Sequence, residues 1–575
     1  MFKLRKKEVG LILQQALIIA SIISLTVVLA ASSLGQQDLD HVIKVKELSL
    51  IQVILIKSYS YLFFMPFVFI FFLVFLAFMR GRLSFENLVG SRRLVFISRG
   101  VVIFLFFVGI INAAGFIYET SASQNQEMRF RQISSHAGKD INIILIVIDA
   151  LRADHLGSYG YARKTSPVID NFVRESTLFK NCYSQAPFTT PSVGSLLTSL
   201  YPRMHGATQR ASALSQKVKT LAELLQQKGF LTYGYVTNPN LKTMFHFDQG
   251  FDFYDDNLIQ DKFYYVALRR LPLFNKVISA ATERRFDSTD KDNIDMAMPR
   301  IMKWLHRYKQ ENFFMYLHFM EPHEPYNPPW RYKQIFSYNR KDKVARDMAF
   351  YDGEIRFCDE YLGLLLEQLK TYGIYDKTLI IITSDHGEAF GEHNDYGHGH
   401  TIYQELVHVP LIVKHDEAFA PGKVVSEPVR LIDVMPTILG VAHVSYDGLE
   451  GCSLLGDNGD AMIKGSGEDV FLERIFDIEM RKEKHVLMGV VRDNHWKYLY
   501  AKNLENDSLV HQELYDLKSD PKELNNLVAQ RAHIVGDLKR VLDRHDSYCS
   551  RLSLDEDSSG IDFGTMEQLR SLGYL

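Results

Sequence analysis

Two kinds of apolar pattern divide the 575-residue chain. Up to residue 118, three long apolar stretches alternate with short charged segments: Val9 to Leu34, Leu48 to Met79 and Leu94 to Tyr118. Each exceeds the roughly 20 residues that a helix needs to cross a bilayer. Lys57 and Arg99 lie near the ends of their stretches, where long basic side chains can snorkel. A cleaved signal peptide fits poorly, because the first stretch is long and two more follow it. Lys3, Arg5, Lys6 and Lys7 precede the first stretch, and Arg80, Arg82, Arg92 and Arg93 separate the second from the third. A positive-inside bias keeps both clusters cytoplasmic and places everything after about residue 120 on the far side of the cell membrane.

Beyond that point the apolar runs are short, and three of them end in polar groups. Ile141 to Ile148 is a nearly continuous β-branched run that stops at Asp149. Thr378 to Thr383 leads into Asp385 and His386, and Phe313 to Phe319 delivers Glu321 and His323. Such runs fit central strands covered by helices on both faces. Helical patterns at Leu221 to Gln227 and Tyr361 to Leu369 lie between them, so the alternation predicts an α/β sandwich with ligands at the carboxyl ends of the strands. Short strand-like runs at Val486 to Val491 and Trp496 to Tyr500, then a helical stretch at Ala529 to Arg544, predict a small terminal sheet with a packed helix. The expected organisation is a membrane domain over 1–118, a polar linker over 119–139, a catalytic domain over 140–458, a C-terminal subdomain over 459–550 and a tail over 551–575.

Composition changes this picture little. The net charge of −3 offers no basic excess for nucleic acid. The four cysteines, Cys182, Cys358, Cys452 and Cys549, are scattered without a C-x-x-C pair, which is neither a disulfide framework nor a zinc ribbon.

The chemistry sits at the strand ends. Each aspartate alone has an ordinary reading as a turn or capping residue, but Asp149 with Asp385 and His386 makes a plausible metal site, and oxygen ligands plus one imidazole suit zinc or manganese better than calcium. Downstream, "GEHNDYGHGH" packs His393, His398 and His400 into a glycine-rich segment that cannot build a core, as a solvated loop lining a site would read. In "APFTTPSVGSLLTSLYPRMHG", Pro191 suits the first helical position and Thr189 or Thr190 the cap before it. Free N–H groups and the helix dipole favour a phosphate or sulfate there, and a metal touching the capping hydroxyl would turn it into a nucleophile.

Taken in order, "VIDALRADHLGSYGY", "TTPSVGSLLTSLYPRMHG", "MEPHEPYNPP", "SDHGEAFGEHNDYGHGH" and "ELYDLKSDPKELNNL" resemble the sulfatase family of the alkaline phosphatase superfamily over about residues 140 to 530. The resemblance implies an alkaline-phosphatase-like α/β/α sandwich with a small C-terminal antiparallel sheet, here preceded by three transmembrane helices. It implies that Asp149, Thr189, Asp385 and His386 hold one divalent metal, that Thr189 attacks, and that His323 donates a proton to the leaving group. Asn238, in "VTNPNL", falls about where the family places a substrate-contacting lysine, and His398 or His400 falls near another substrate contact. Arg152 reads either as a support behind the site or as a helix-surface ion pair.

The departures are as informative. Sulfatases carry Cys or Ser in C/S-x-P-S-R, oxidised to formylglycine, whereas here Thr189 stands at that position and Val193 replaces the arginine. A threonine β-carbon bears a methyl and can give no aldehyde hydrate. The usual tandem aspartates are Asp149-Ala150, and the usual Asp-Asn is Asp385-His386. In this form the motif is similar to membrane-anchored phosphoethanolamine and phosphoglycerol transferases and to phosphonate monoester hydrolases. The leading expectation is a membrane-anchored, metal-dependent hydrolase or transferase that cleaves a phosphate ester of an envelope lipid or glycan through phosphothreonine. One alternative is a sulfuric ester hydrolase acting on a surface glycan or small ester; another is a non-catalytic membrane-bound binding protein.

Overall fold

The computed structural model describes residues 141–256, 294–455, 469–478 and 483–554. Contacts divide the chain into two units, Met1–Ser121 and Ala122–Leu575, and the described residues lie in the second. The expected transmembrane stretches, the linker and the tail beyond residue 554 lie outside them. Among the described residues, no helix is long and apolar enough to cross a membrane.

The first six strands are β1 (Asn142–Ile148), β2 (Thr177–Tyr183), β3 (Leu231–Val236), β4 (Phe253–Asp255), β5 (Phe313–Phe319) and β6 (Thr378–Thr383), of which β1, β5 and β6 coincide with the three apolar runs that end in polar groups. With β9 (His408–Lys414) and β10 (Val424–Arg430) they form one eight-stranded sheet in the order β10-β2-β9-β6-β1-β5-β3-β4. β1 sits at its centre, parallel to β5 and β6, while β9 runs antiparallel to both β2 and β6. A two-stranded ribbon, β7 (Ala389–Phe390) with β8 (Tyr396–Gly397), follows β6.

The continuous apolar character of β1 reflects burial on both faces. Ile143, Leu145 and Val147 enter one core cluster, and Ile144, Ile146 and Ile148 enter the other, on the opposite face. Each such side chain contributes about 1.5–3 kcal/mol of burial. The long helix Lys343–Thr371 covers the second face, with Tyr351, Ile355, Leu362 and Leu365 buried there. It contains the predicted Tyr361 to Leu369 pattern but starts eighteen residues earlier, capped by Asp342, whose side chain accepts the Ala345 N–H.

The smaller sheet is an antiparallel meander of β11 (Val470–Ile478), β12 (Glu483–Arg492), β13 (Trp496–Asn503) and β14 (Leu509–Asp516). Its strands alternate, as two-faced burial requires. Val486, Met488 and Val490 pack with Leu538 and Leu542 of the helix Ala532–Leu552, whereas Leu487, Leu499 and Tyr515 pack with Ile402 and Leu406 of the larger domain. That helix begins three residues later than the sequence pattern suggests and runs eight residues further, past the expected subdomain limit at 550.

Candidate active site

β1 and β6 deliver the centre of the site. β1 ends at Ile148, so Asp149 is its first residue past the sheet and its N–H donates to the Phe319 carbonyl of β5 at 2.8 Å. β6 ends at Thr383, one residue before Ser384 and two before Asp385. Asp149, Asp385 and His386 are wholly buried, and one ligand atom from each lies within 4.8 Å of the others.

The hydrogen bonds show which atoms are already committed. Asp149 Oδ2 accepts from Asn238 Nδ2 at 2.6 Å and meets His318 Nε2 at 3.1 Å. Asp385 Oδ1 accepts from the Ala150 and His386 N–H groups at 3.2 and 3.0 Å. The other oxygen of each, Asp149 Oδ1 and Asp385 Oδ2, is buried without a hydrogen-bond partner, and the two face His386 Nε2 at 3.4 and 3.6 Å. A buried, unpartnered carboxylate oxygen costs stability unless something positive meets it. His386 Nδ1 lies 2.8 Å from the Gly387 carbonyl and donates to it, which leaves the Nε2 lone pair pointing at the same spot. Two orphaned oxygens and one lone pair converging on a point fit a small divalent cation, and the mixed donor set fits zinc or manganese.

Burial opposes ionisation of Asp149, but His323, His318 and His386 around it hold its carboxyl well below the usual range. Burial and the neighbouring Asp149 push Asp385 up instead. Burial opposes the charge on His386, yet the two carboxylates raise it.

Thr189 completes the cluster. Its Oγ1 lies 3.3 Å from His386 Nε2 and accepts from Asn238 Nδ2 at 3.2 Å. The helix it belongs to, Thr189–Thr198, corrects the expected cap: Phe188 is the capping residue, Thr189 is the first helical residue, and neither threonine makes a side-chain capping bond. The hydroxyl of Thr189 is turned to the carboxylate cluster, and Thr190 Oγ1 is buried without a partner. Ser192 anchors the same helix by donating to the Asp385 carbonyl at 2.6 Å. Val193, where the family has arginine, is buried in the apolar core.

Asn238 therefore supports Asp149 and Thr189 directly. Its Oδ1 accepts the Asn240 N–H at 2.9 Å, which fixes the amide so that Nδ2 points into the site. The histidines separate cleanly. His323, His386 and His398 cluster, with ring centroids 4.5 Å apart for His386–His398 and 4.6 Å for His323–His398. His400 is exposed beside Asp395 and stands apart from this cluster, whereas His398 lies within it. His398 is positioned by Glu388, whose Oε1 lies 2.9 Å from Nδ1; burial and the charge of His386 keep its ring well below the ordinary histidine value. Arg152 is no helix-surface pair: buried, it bonds the Glu388 carbonyl at 2.9 Å as well as Glu392 and Asp154.

Three contributors escaped the sequence reading. His318 lies inside β5, and its place beside Asp149 depends on β5 pairing with β1, where Val147 opposes His318. Glu388 and Ser192 stood in quoted motifs, but nothing in their spacing announced a partner.

A mixed α/β sheet that presents two carboxylates, an imidazole and a hydroxyl at one end, with a small antiparallel sheet behind it in the chain, is an alkaline-phosphatase-like fold. The chain belongs to the sulfatase family: the family pattern named Sulfatase matches residues 141–444, and that of the N-sulphoglucosamine sulphohydrolase C-terminal region matches 391–547. It is an enzyme of that family, which sets aside the non-catalytic alternative. An arylsulfatase of Clostridium perfringens is 24% identical over 454 residues, covering 67% of this chain and 90% of its own. An N-acetylglucosamine-6-O-sulfatase of Bacteroides thetaiotaomicron is 24% identical over 468 residues, covering 67% and 82%. The fold is shared with the phosphonate monoester hydrolase of Agrobacterium radiobacter, with a TM-score of 0.58 at 20% identity over 71% of this chain and 96% of that one.

Proposed function

We propose that the chain cleaves an ester of phosphate, a phosphodiester or phosphonate, through a covalent intermediate on Thr189. The observation that carries this reading is the Thr189 hydroxyl, buried 3.3 Å from His386 Nε2 beside two unpartnered carboxylate oxygens. One divalent metal, zinc or manganese in preference to calcium, would be held by Asp149, Asp385, His386 and Thr189, and when bound it supplies positive charge that acidifies the hydroxyl and offsets charge on the transferring group. Asn238 orients Thr189 and Asp149 together. The acidified Thr189 hydroxyl gives up its proton to water, and as its oxygen bonds to phosphorus the bond to the ester oxygen breaks; His323, whose Nδ1 is bonded to the Glu324 carbonyl, passes its Nε2 proton to the departing alkoxide. His398, held by Glu388, contacts the substrate. Water or a second alcohol then releases the group, as hydrolysis or transfer.

With the three transmembrane helices that the sequence leads one to expect over 1–118, we extend the proposal to a reaction at the cell membrane, with the catalytic domain extracytoplasmic and an envelope lipid or glycan as substrate. A second reading, sulfuric ester hydrolysis, draws on the names of the relatives, an arylsulfatase and an N-acetylglucosamine-6-O-sulfatase among them, and is at least as well supported by them. Against it stands the threonine methyl, which denies the aldehyde hydrate and leaves only attack at sulfur.

Intact-mass measurement on wild type and Thr189→Ala after incubation with aryl phosphodiester, phosphonate monoester and aryl sulfate decides between them. A phosphoryl or phosphonyl adduct present in wild type and absent in the variant is expected. A kcat/KM far higher on sulfate than on either phosphorus ester would assign the enzyme to sulfate instead.

A further inference from the structure

An arginine in the turn that Arg474 ties to the His398 loop has no role in the reaction above. Arg210 is exposed, and among the described residues it makes no ion pair and no hydrogen bond. The backbone of its turn is nonetheless fixed. Ala211, the next residue, has a φ of 59°, and Ser212 Oγ both donates to the Gln209 carbonyl at 2.9 Å and accepts the Gln209 N–H at 3.0 Å, closing the turn around Arg210.

A chain of contacts ties this turn to both halves of the site. Gln209 Oε1 accepts from Arg474 Nη1 at 3.1 Å, and Gln209 Nε2 donates to the Ile475 carbonyl at 3.0 Å. Arg474, on β11, donates its Nε to the Gly399 carbonyl at 2.6 Å, one residue past His398. Its guanidinium carbon lies 4.4 Å over the Phe188 ring, one residue before Thr189. The smaller sheet thus clamps the Gln209 turn against the loop that carries His398 and the start of the helix that carries Thr189.

We propose that Arg210 takes a second anionic group of the substrate on the His398 side of the pocket, so that the enzyme prefers esters carrying a phosphate, sulfate or carboxylate besides the one that reacts. An exposed guanidinium with no internal partner offers a fork of donors matched to such groups. The inference rests on the ester-cleaving reading of the same site, and the shared chemistry covers both a multiply sulfated glycan and an acidic lipid headgroup.

The test uses the full chain in detergent and two matched pairs of probes: glucosamine 6-sulfate against glucosamine-2-N,6-O-disulfate, and glucose 6-phosphate against glucose 1,6-bisphosphate. Each is measured as an inhibitor of aryl ester turnover and, independently, by its shift of the melting temperature. In wild type the doubly charged member of at least one pair binds about three- to fivefold tighter, a typical yield for one exposed ion pair. Which pair shows it distinguishes sulfated glycan from phosphorylated headgroup. Arg210→Ala removes the preference, Arg210→Lys keeps part of it and Arg210→Glu reverses it. An equal ratio in wild type and Arg210→Ala, or no ratio in wild type, overturns the proposal. If wild type turns over no ester, the reading of the reaction fails, while the melting shifts still report on Arg210.

Discussion

Two buried aspartates at the edge of the same core show opposite habits. Asp433 has both oxygens occupied: Oδ1 accepts from Arg430 Nη2 at 2.8 Å and from the Cys452 N–H at 2.9 Å, and Oδ2 accepts the Arg430 N–H at 2.8 Å. Asp385 is equally buried but keeps one oxygen unpartnered, facing the similarly bare Asp149 Oδ1 across His386 Nε2. Asp433 lies in "VRLIDVMPTILG" and Asp385 in "SDHGE". Asp433 is spent on holding the end of β10 to its following turn and to residue 452. Asp149 and Asp385 are held on one side only, and the other side has no hydrogen-bond partner. Incomplete satisfaction, more than burial or charge, separates the reactive cluster from the structural one.

The contrast breaks hardest at Thr189. Replacing it with alanine removes the attacking oxygen and leaves the core intact, so kcat/KM falls by roughly 10³-fold or more while the melting temperature changes little. Thr189→Ser restores a large part of the rate. A Thr189→Ala enzyme with near-normal turnover would end the covalent reading.

Stability should respond in the reverse order. Asp433→Ala strands the wholly buried Arg430 and costs about 3–5 kcal/mol, visible in denaturant titration. In metal-free protein Asp385→Asn, which keeps Oδ1 for the Ala150 and His386 amides, relieves the opposition between two close carboxylates and stabilises by about 0.5–2 kcal/mol, though activity is lost. If both variants destabilise equally, the distinction between the two aspartates is wrong. Asn238→Ala falls between them, with roughly 10–100-fold lower kcat/KM from loosening Asp149 and Thr189.

What sequence made legible follows the same division. The runs ending at Asp149 and Asp385 were readable because continuous β-branched strands have few other uses, and a polar residue immediately beyond one stands at the sheet edge. The helix start at Thr189 was misplaced by its own proline: Pro191 tolerates the first helical turn generally, so its identity fixes the turn and leaves the position within it open. His318 could not be found, since a strand buried on both faces has no alternation to single out one residue, and its partner lies across a pairing that the order of elements does not state. His398 and His400 were indistinguishable until Glu388 appeared on one side and solvent on the other. Pattern reveals which residues reach the end of the sheet; it does not reveal which of their atoms remain uncommitted.

The smallest expected effect concerns the seam between the catalytic loop and the terminal sheet. His393 stacks on Tyr403 at 3.8 Å, and its Nε2 approaches the Glu523 carbonyl at 3.1 Å. Glu523 in turn pairs with the buried Lys497 of β13 at 2.7 Å. Burial alone would lower the imidazole, but Glu405, 2.7 Å from Nδ1, outweighs it and raises His393 to about 9. Against an unfolded value of about 6.5, a raised folded value gives stability that is complete below that pH and is lost as pH rises through about 9. Wild type should therefore lose about 2–4 °C more in melting temperature than His393→Gln between neutral pH and pH 10. Parallel curves for the two proteins would mean that the Glu405 pair does not hold the seam. A steeper fall in wild type would show that this loop, unlike the cluster it carries, is secured by fully partnered charge.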